Sequence, residues 1–252
     1  MIRVTSPAPA PEVASFVQGI FILEYQGKAP FRLPLFANGR PALVFHSIKD
    51  RHTNRQLTFF GQTVCPDELL FDREFILIAY FLWPWCLASL FRLAAGELTD
   101  KPIDYTFLSK DRDLGDKLLN AASIPQMLVL LNEHILRLAS CGSPEDPRVK
   151  YAATRIASMP QKDILTKVRQ DLCITERSFQ RLFERNIGVS PNQFRRIVKF
   201  DSAFRQLNEG KFINLSDVAF DNGYADQSHF NRAFREFTDQ TATHYLDNLP
   251  AG

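Results

Sequence analysis

The chain opens with short apolar runs and closes with long amphipathic ones. Val17–Tyr25, Ala42–Ile48 and Phe75–Leu82 are apolar stretches of strand length, separated by Pro, Gly and Asn turn signals. Phe59-Phe60-Gly61-Gln62 fits a further strand running into a turn. Strands at this spacing predict a small barrel or sandwich up to residue 108. Over residues 112–139 the period changes. Leu114, Leu118 and Leu119, then Met127, Leu128, Leu131, Ile135 and Leu138, recur every three or four positions, predicting two helices divided at Ser123-Ile124-Pro125. They would either cover the barrel or form a dimer seam. Residues 141–147 (Cys-Gly-Ser-Pro-Glu-Asp-Pro) carry two prolines and a glycine and no apolar run. This divides the chain into residues 1–141, a linker 142–147 and an all-helical part 148–252.

Residues 75–91 form a run of 17 without a charge. That is short for a span of about 30 Å, and Pro84 interrupts it. The run reads as a buried strand, a break and a short core helix, so no membrane contact is expected.

The helical part contains a repeat. Phe179-Gln180-Arg181-Leu182-Phe183 recurs 51 residues later as Phe230-Asn231-Arg232-Ala233-Phe234, and Phe194 falls on Tyr245. In the first unit, residues 164–172 form a short helix. Thr175 caps a second, Glu176–Asn186, and Gly188 ends it. Ser190-Pro191-Asn192-Gln193 then opens a third helix reaching Leu207. In the second unit, Asn214 opens a helix, Gly223 makes the turn and Asp226 caps the next helix. Helix, short turn, helix is the helix-turn-helix arrangement. At about 100° per residue, Phe179, Leu182 and Phe183 share one stripe, while Arg177, Arg181 and Glu184 face away and Gln180 sits on the flank. In the second unit Phe230, Ala233, Phe234 and Phe237 face inward. Ser228, Arg232 and Arg235 face outward, with Gln227 and Asn231 on the flank. Arg and amide side chains are those that read guanine and adenine edges. The candidate base readers are therefore Arg177, Gln180 and Arg181 in one unit, and Gln227, Ser228, Asn231 and Arg232 in the other. Lys150, Lys162, Arg196 and Lys199 are candidate phosphate contacts.

Charge supports this weakly. The whole chain carries +2, but residues 148–252 hold 16 Lys+Arg against 12 Asp+Glu, and the first 147 hold 14 against 16. The four cysteines have no short spacing, which excludes a disulfide framework and a zinc module. The start of the chain lacks the apolar core of a signal peptide, and a reducing cytoplasm is expected. His46 and His52 are the only histidines before residue 109, too few for a metal-dependent barrel enzyme. With no phosphate loop and no nucleophile elbow, neither a metal, a cofactor nor an enzymatic activity is expected. The aromatics Phe71, Phe75, Tyr80, Phe81, Trp83, Trp85 and Phe91 would pack a core or line an apolar pocket.

The stretch Val218-Ala219…Gly223-Tyr224-Ala225-Asp226-Gln227-Ser228-His229-Phe230-Asn231-Arg232-Ala233-Phe234-Arg235 resembles the second helix-turn-helix of the AraC/XylS family of bacterial transcription regulators, and residues 179–194 resemble the first. The resemblance covers residues 150–247. It implies a seven-helix domain that inserts two recognition helices into successive major-groove segments, about one helical turn apart. Departures are Arg169 and Cys173 where the family often has Ala and Gly, and Asp239 and Ala242 where it has Gly and Pro. Leu33-Pro34…Gly39…Ala42-Leu43-Val44-Phe45-His46, Phe60-Gly61-Gln62, and Trp83-Pro84…Phe91…Glu97-Leu98-Thr99-Asp100 resemble the cupin-like front domain of a subset of these proteins. The expectation is an α+β multidomain protein: a β-rich cupin-like domain with helices for sensing or pairing, and an all-α domain of two helix-turn-helix units. Its partners would be promoter double-stranded DNA, RNA polymerase, a small-molecule effector and a second copy of the chain. The competing reading is a small-molecule-binding cupin module whose helical tail mediates protein contacts.

Overall fold

A computed structural model describes residues 1–48, 55–109, 111–158 and 163–248. Six strands form one antiparallel sheet in the order β1-β2-β7-β4-β5-β8: β1 (Ile2–Thr5), β2 (Val17–Tyr25), β4 (Ala42–Ile48), β5 (Arg55–Phe60), β7 (Phe75–Leu82) and β8 (Ile103–Asp104). A second sheet pairs β3 (Phe31–Leu35) with β6 (Asp67–Phe71). The helices are α1 (Leu87–Phe91), α2 (Leu114–Leu119), α3 (Ile124–Cys141), α4 (Pro147–Ser158), α5 (Ile164–Asp171), α6 (Glu176–Asn186), α7 (Pro191–Asn208), α8 (Leu215–Asp221), α9 (Gln227–Thr238) and α10 (Ala242–Asp247). This is the expected α+β architecture, β-rich in front and helical behind.

β7 explains the uncharged run. Successive side chains leave a strand on opposite faces. Phe75, Leu77 and Ala79 pack with Leu23, Tyr25, Val44 and Phe71 beneath the small sheet. Ile78, Tyr80 and Leu82 pack on the other face, in the core that includes the helices. Both faces are buried, so the strand needs apolar residues throughout. Among the described residues no helix is long and apolar enough to cross a membrane. The aromatics do not gather into one pocket. Phe71 stacks on Phe75 at 3.7 Å on one face, while Tyr80 and Trp85 belong to the core on the other.

The Leu-rich helices cover the sheet. α3 buries Met127, Leu131, His134 and Ile135, and the Tyr80 hydroxyl donates toward Asn132 Oδ1 at 3.0 Å. Tyr105 Oη lies 2.6 Å from His134 Nε2, and Asp111 lies 3.4 Å from the other ring nitrogen. His46 is a core residue whose ring meets Phe71 edge-on; burial holds its pKa below the ordinary value. His52 and Lys162 lie outside the described residues.

The weakly patterned strands were not legible. β1 is exposed along its whole length, and β3 contains Pro34 and alternates between half-buried and exposed positions. They are edge or two-strand elements that need no continuous apolar run.

Residues 142–146 connect α3 to α4, which starts at Pro147, one residue inside the expected linker. The connection is pinned. Ser143 N–H donates to Ser89 O at 2.9 Å, Arg92 Nη2 to Gly142 O at 3.1 Å, and the Cys86 thiol to Glu145 at 3.1 Å. The front also touches the helical part directly. Thr99 Oγ1 donates to Gly188 O at 2.6 Å just beyond α6. Arg40 pairs with Asp201 of α7 at 2.9 Å, both largely buried, and Phe36 meets Phe204 edge-on.

Candidate DNA-reading surface

The first unit is α5, a turn and α6. The turn needs a left-handed residue, and Cys173 supplies it with φ 52°. Thr175 Oγ1 accepts from Ser178 N–H at 3.2 Å, the expected cap. Phe179 and Phe183 are fully buried and meet edge-on at 5.0 Å. That stripe fixes the rotation of α6, so Arg177, Gln180, Arg181 and Glu184 are exposed together. Gln180 Nε2 donates to Glu176, which also pairs with Arg169 at 3.1 Å. Arg169, one of the departures from the family, thus braces α5 against the start of α6.

The second unit repeats the scheme. Asn214 Oδ1 accepts from Asp217 N–H, Gly223 turns the chain at φ 70°, and Asp226 Oδ1 accepts from His229 N–H at 2.7 Å. Phe230, Ala233, Phe234 and Phe237 are buried. Gln227, Ser228, Arg232 and Arg235 are exposed. Ser216 Oγ donates to Gln227 Oε1 at 2.9 Å, tying that amide to α8. Asn231 is half-buried and its Oδ1 is shielded, with no hydrogen-bond partner among the described residues. His229 is exposed at the start of α9 and was not singled out from the sequence. Burial first, then the Lys199 and Arg232 cations, hold its pKa below the ordinary value. The family stretch that contains it was the available signal.

The two sets of candidate readers lie on separate helices, and both helices pack against α7. Asp239 ends α9 with φ 60°, the left-handed geometry its glycine-like place requires. Arg196 of α7 pairs with Glu236 of α9.

The candidate phosphate contacts need correction at Lys199. It is 7% exposed; its Nζ donates to Gly223 O at 2.5 Å and sits 3.9 Å from the Tyr224 ring centroid. Its side chain holds the turn of the second unit. Burial, with Arg195 nearby, pushes its pKa down to about 8. On amphipathic α7 the chain's path buries this lysine, whereas the sequence reads it as solvated. Lys150 lies over the Trp85 ring and 4.0 Å from Glu145.

Two capped helix-turn-helix units sharing one long helix, each with an exposed Arg-bearing face, define a DNA-binding protein of the double helix-turn-helix class. Residues 169–248 match the family described as Helix-turn-helix domain, and residues 5–104 match Domain of unknown function (DUF6597). An uncharacterised HTH-type transcriptional regulator of Haemophilus influenzae is 25% identical over 135 residues, 53% of this chain and 45% of the relative. The chain thus matches less than half the length of that relative. An apo single-residue variant of ToxT from Vibrio cholerae is 9% identical, with TM-score 0.50 over 94% of this chain and 98% of that one. This last likeness concerns the fold, and it spans both the β-rich front and the helical part. The helix-turn-helix match falls on the part of the chain that resembles the AraC/XylS regulators.

Proposed function

We propose that the protein is a sequence-specific transcription regulator that reads two successive major-groove segments of promoter DNA. Arg177, Gln180 and Arg181 read one segment, and Gln227, Ser228, Asn231 and Arg232 read the next. The observation that carries this reading is the paired construction of α6 and α9. Each is capped at its start, buries an aromatic stripe and leaves Arg and amide side chains exposed. α7 has 18 residues, about 27 Å at 1.5 Å per residue, against about 34 Å for one turn of DNA. A bridge of that length suits two readers on one face of the duplex. Under this reading residues 148–252 bind DNA, residues 1–141 sense an effector or pair subunits, and RNA polymerase is the downstream partner in the cytoplasm.

Selection from a random duplex library at about 150 mM salt, where screening reaches about 8 Å, tests it. The expected result is an enriched motif of two elements about one helical turn apart. A single short element would reject reading by one unit, and no enrichment by the full chain would reject sequence-specific binding.

A further inference from the structure

The two recognition helices end differently, although they hold equivalent places in the repeat. The 51-residue offset that sets Phe179 against Phe230 also sets Gly188 against Asp239. Asp239 is exposed, and its turn is closed within its own unit. Its N–H donates to Arg235 O at 2.8 Å, and the Thr238 hydroxyl donates to Phe234 O at 2.7 Å. Gly188 is half-buried, and its N–H also bonds back into its helix, to Phe183 O at 3.1 Å. Its carbonyl, however, is held from outside the unit, by the Thr99 hydroxyl of the front domain at 2.6 Å. The turn Ala95–Leu98 lies against the same end. A Cβ on Gly96 would stand 3.3 Å from Glu184 O, and one on Gly188 would stand 2.9 Å from Ala95 O. The end of α6 fits the front domain so closely that glycine is needed where α9 carries aspartate.

Thr99 is itself fixed on the front domain. Its neighbour Asp100 donates its N–H to Gln62 O at 2.9 Å, and Asp100 Oδ1 accepts from Val64 N–H at 2.6 Å and Cys65 N–H at 3.0 Å. Gln62 Nε2 donates to Gly39 O at 3.3 Å. Gly39 lies against Phe194, Ile197 and Val198 of α7, and Arg40 pairs with Asp201 of the same helix. One chain of contacts thus runs from the end of α6 through the front domain to α7.

Paired hydrogen bonds to a base edge form only within a narrow range of distance and angle. A helix released at one end turns about its buried stripe, here Phe179 and Phe183, and carries its outer face out of that range. We infer that Thr99 is a positioning residue for the first reader. By holding Gly188 O it keeps α6 in the orientation that sets Arg177, Gln180 and Arg181 on their bases, whereas the end of α9 is closed within its own unit. This role rests on the two-segment reading proposed above and makes the front domain a working part of one reader. A change in the front domain that moves Thr99 then alters one element of the site and spares the other.

The test uses the full chain, the duplex selected above, and two versions with one or the other element scrambled. The affinity ratio of intact to scrambled duplex measures discrimination at each element, and a fall in the folded fraction cancels from it. The element read by α6 is the one whose discrimination Arg181→Ala removes. Thr99→Val keeps the side-chain shape and removes the donor. Discrimination at the α6 element is expected to fall about tenfold, the worth of one paired base contact, and to stay unchanged at the α9 element. Thr99→Ser keeps the hydroxyl and is expected to restore it. Should Thr99→Val not fold, Gly96→Ala carries the same expectation, since it presses on Glu184 O without removing a bond. Unchanged discrimination, an equal fall at both elements, or no rescue by Thr99→Ser would overturn the positioning role. A wild type that discriminates at neither element would reject the two-segment reading itself, and this role with it.

Discussion

Replacing Gly188 by Ala should destabilise the full chain by about 1 kcal/mol more than replacing Gly223 by Ala. Both glycines have positive φ, 101° and 70°, and each ends one turn of a helix-turn-helix unit or its recognition helix. A Cβ in that region costs about 1–2 kcal/mol at either place. The surroundings differ. At Gly223 the nearest atom to an added Cβ is Lys199 Cε at 3.9 Å, ordinary contact. At Gly188 it would meet Thr99 Oγ1 at 2.8 Å and the Ala95 carbonyl oxygen at 2.9 Å. The hydroxyl can rotate only by giving up its bond to Gly188 O, worth about 1 kcal/mol. The backbone oxygen can move only with the Ala95–Leu98 turn. The sum is about 2–3 kcal/mol for Gly188→Ala against about 1–2 kcal/mol for Gly223→Ala. Urea unfolding of the full chain measures both through the shift in midpoint at unchanged slope. Equal losses would mean that the front domain is not seated on the end of α6, and the reasoning would fail.

Three further outcomes are expected. Asp239→Gly should stabilise the protein by about 1 kcal/mol, because glycine occupies φ 60° without the Cβ penalty; a loss in urea unfolding would reject strain at that cap. Lys199 titrates near 8 in the folded protein and near 10.4 in the unfolded chain, so between these values the unfolded state holds more protons. Relative to Lys199→Met, the wild type should therefore gain stability as pH rises from 8 towards 10.4, and lose that contribution as pH falls through 8; a flat difference would contradict burial of the ammonium. Arg232→Ala should lose about 1–3 kcal/mol on a selected duplex and little on random DNA, and equal losses on both would make it a phosphate contact.

Most of the frame was legible because burial imposes a period. β2, β4 and β7 lie in the middle of the large sheet and stand out as apolar runs, and the caps Thr175, Ser190, Asn214 and Asp226 mark where helices begin. The exposed faces of α6 and α9 followed from their Phe stripes. What sequence reasoning missed depends on distant partners. Thr99 and Gly188 are 89 positions apart, and Lys199 reaches Gly223 across 24. The shielding of Asn231 Oδ1 also depends on how α9 seats on its neighbours, which one helix's angles do not contain. The seat of Asp100 on Val64 and Cys65 arises where two loops close on each other, and no local pattern announces such a meeting.

The central claim is that two readers, held by one helix, engage one face of the duplex together. The most direct test inserts five base pairs between the two elements of a selected site and measures affinity at fixed salt. Half a helical turn carries the second element to the opposite face. The account predicts a loss of at least about 100-fold, from the base contacts of one whole element. Unchanged affinity would contradict it.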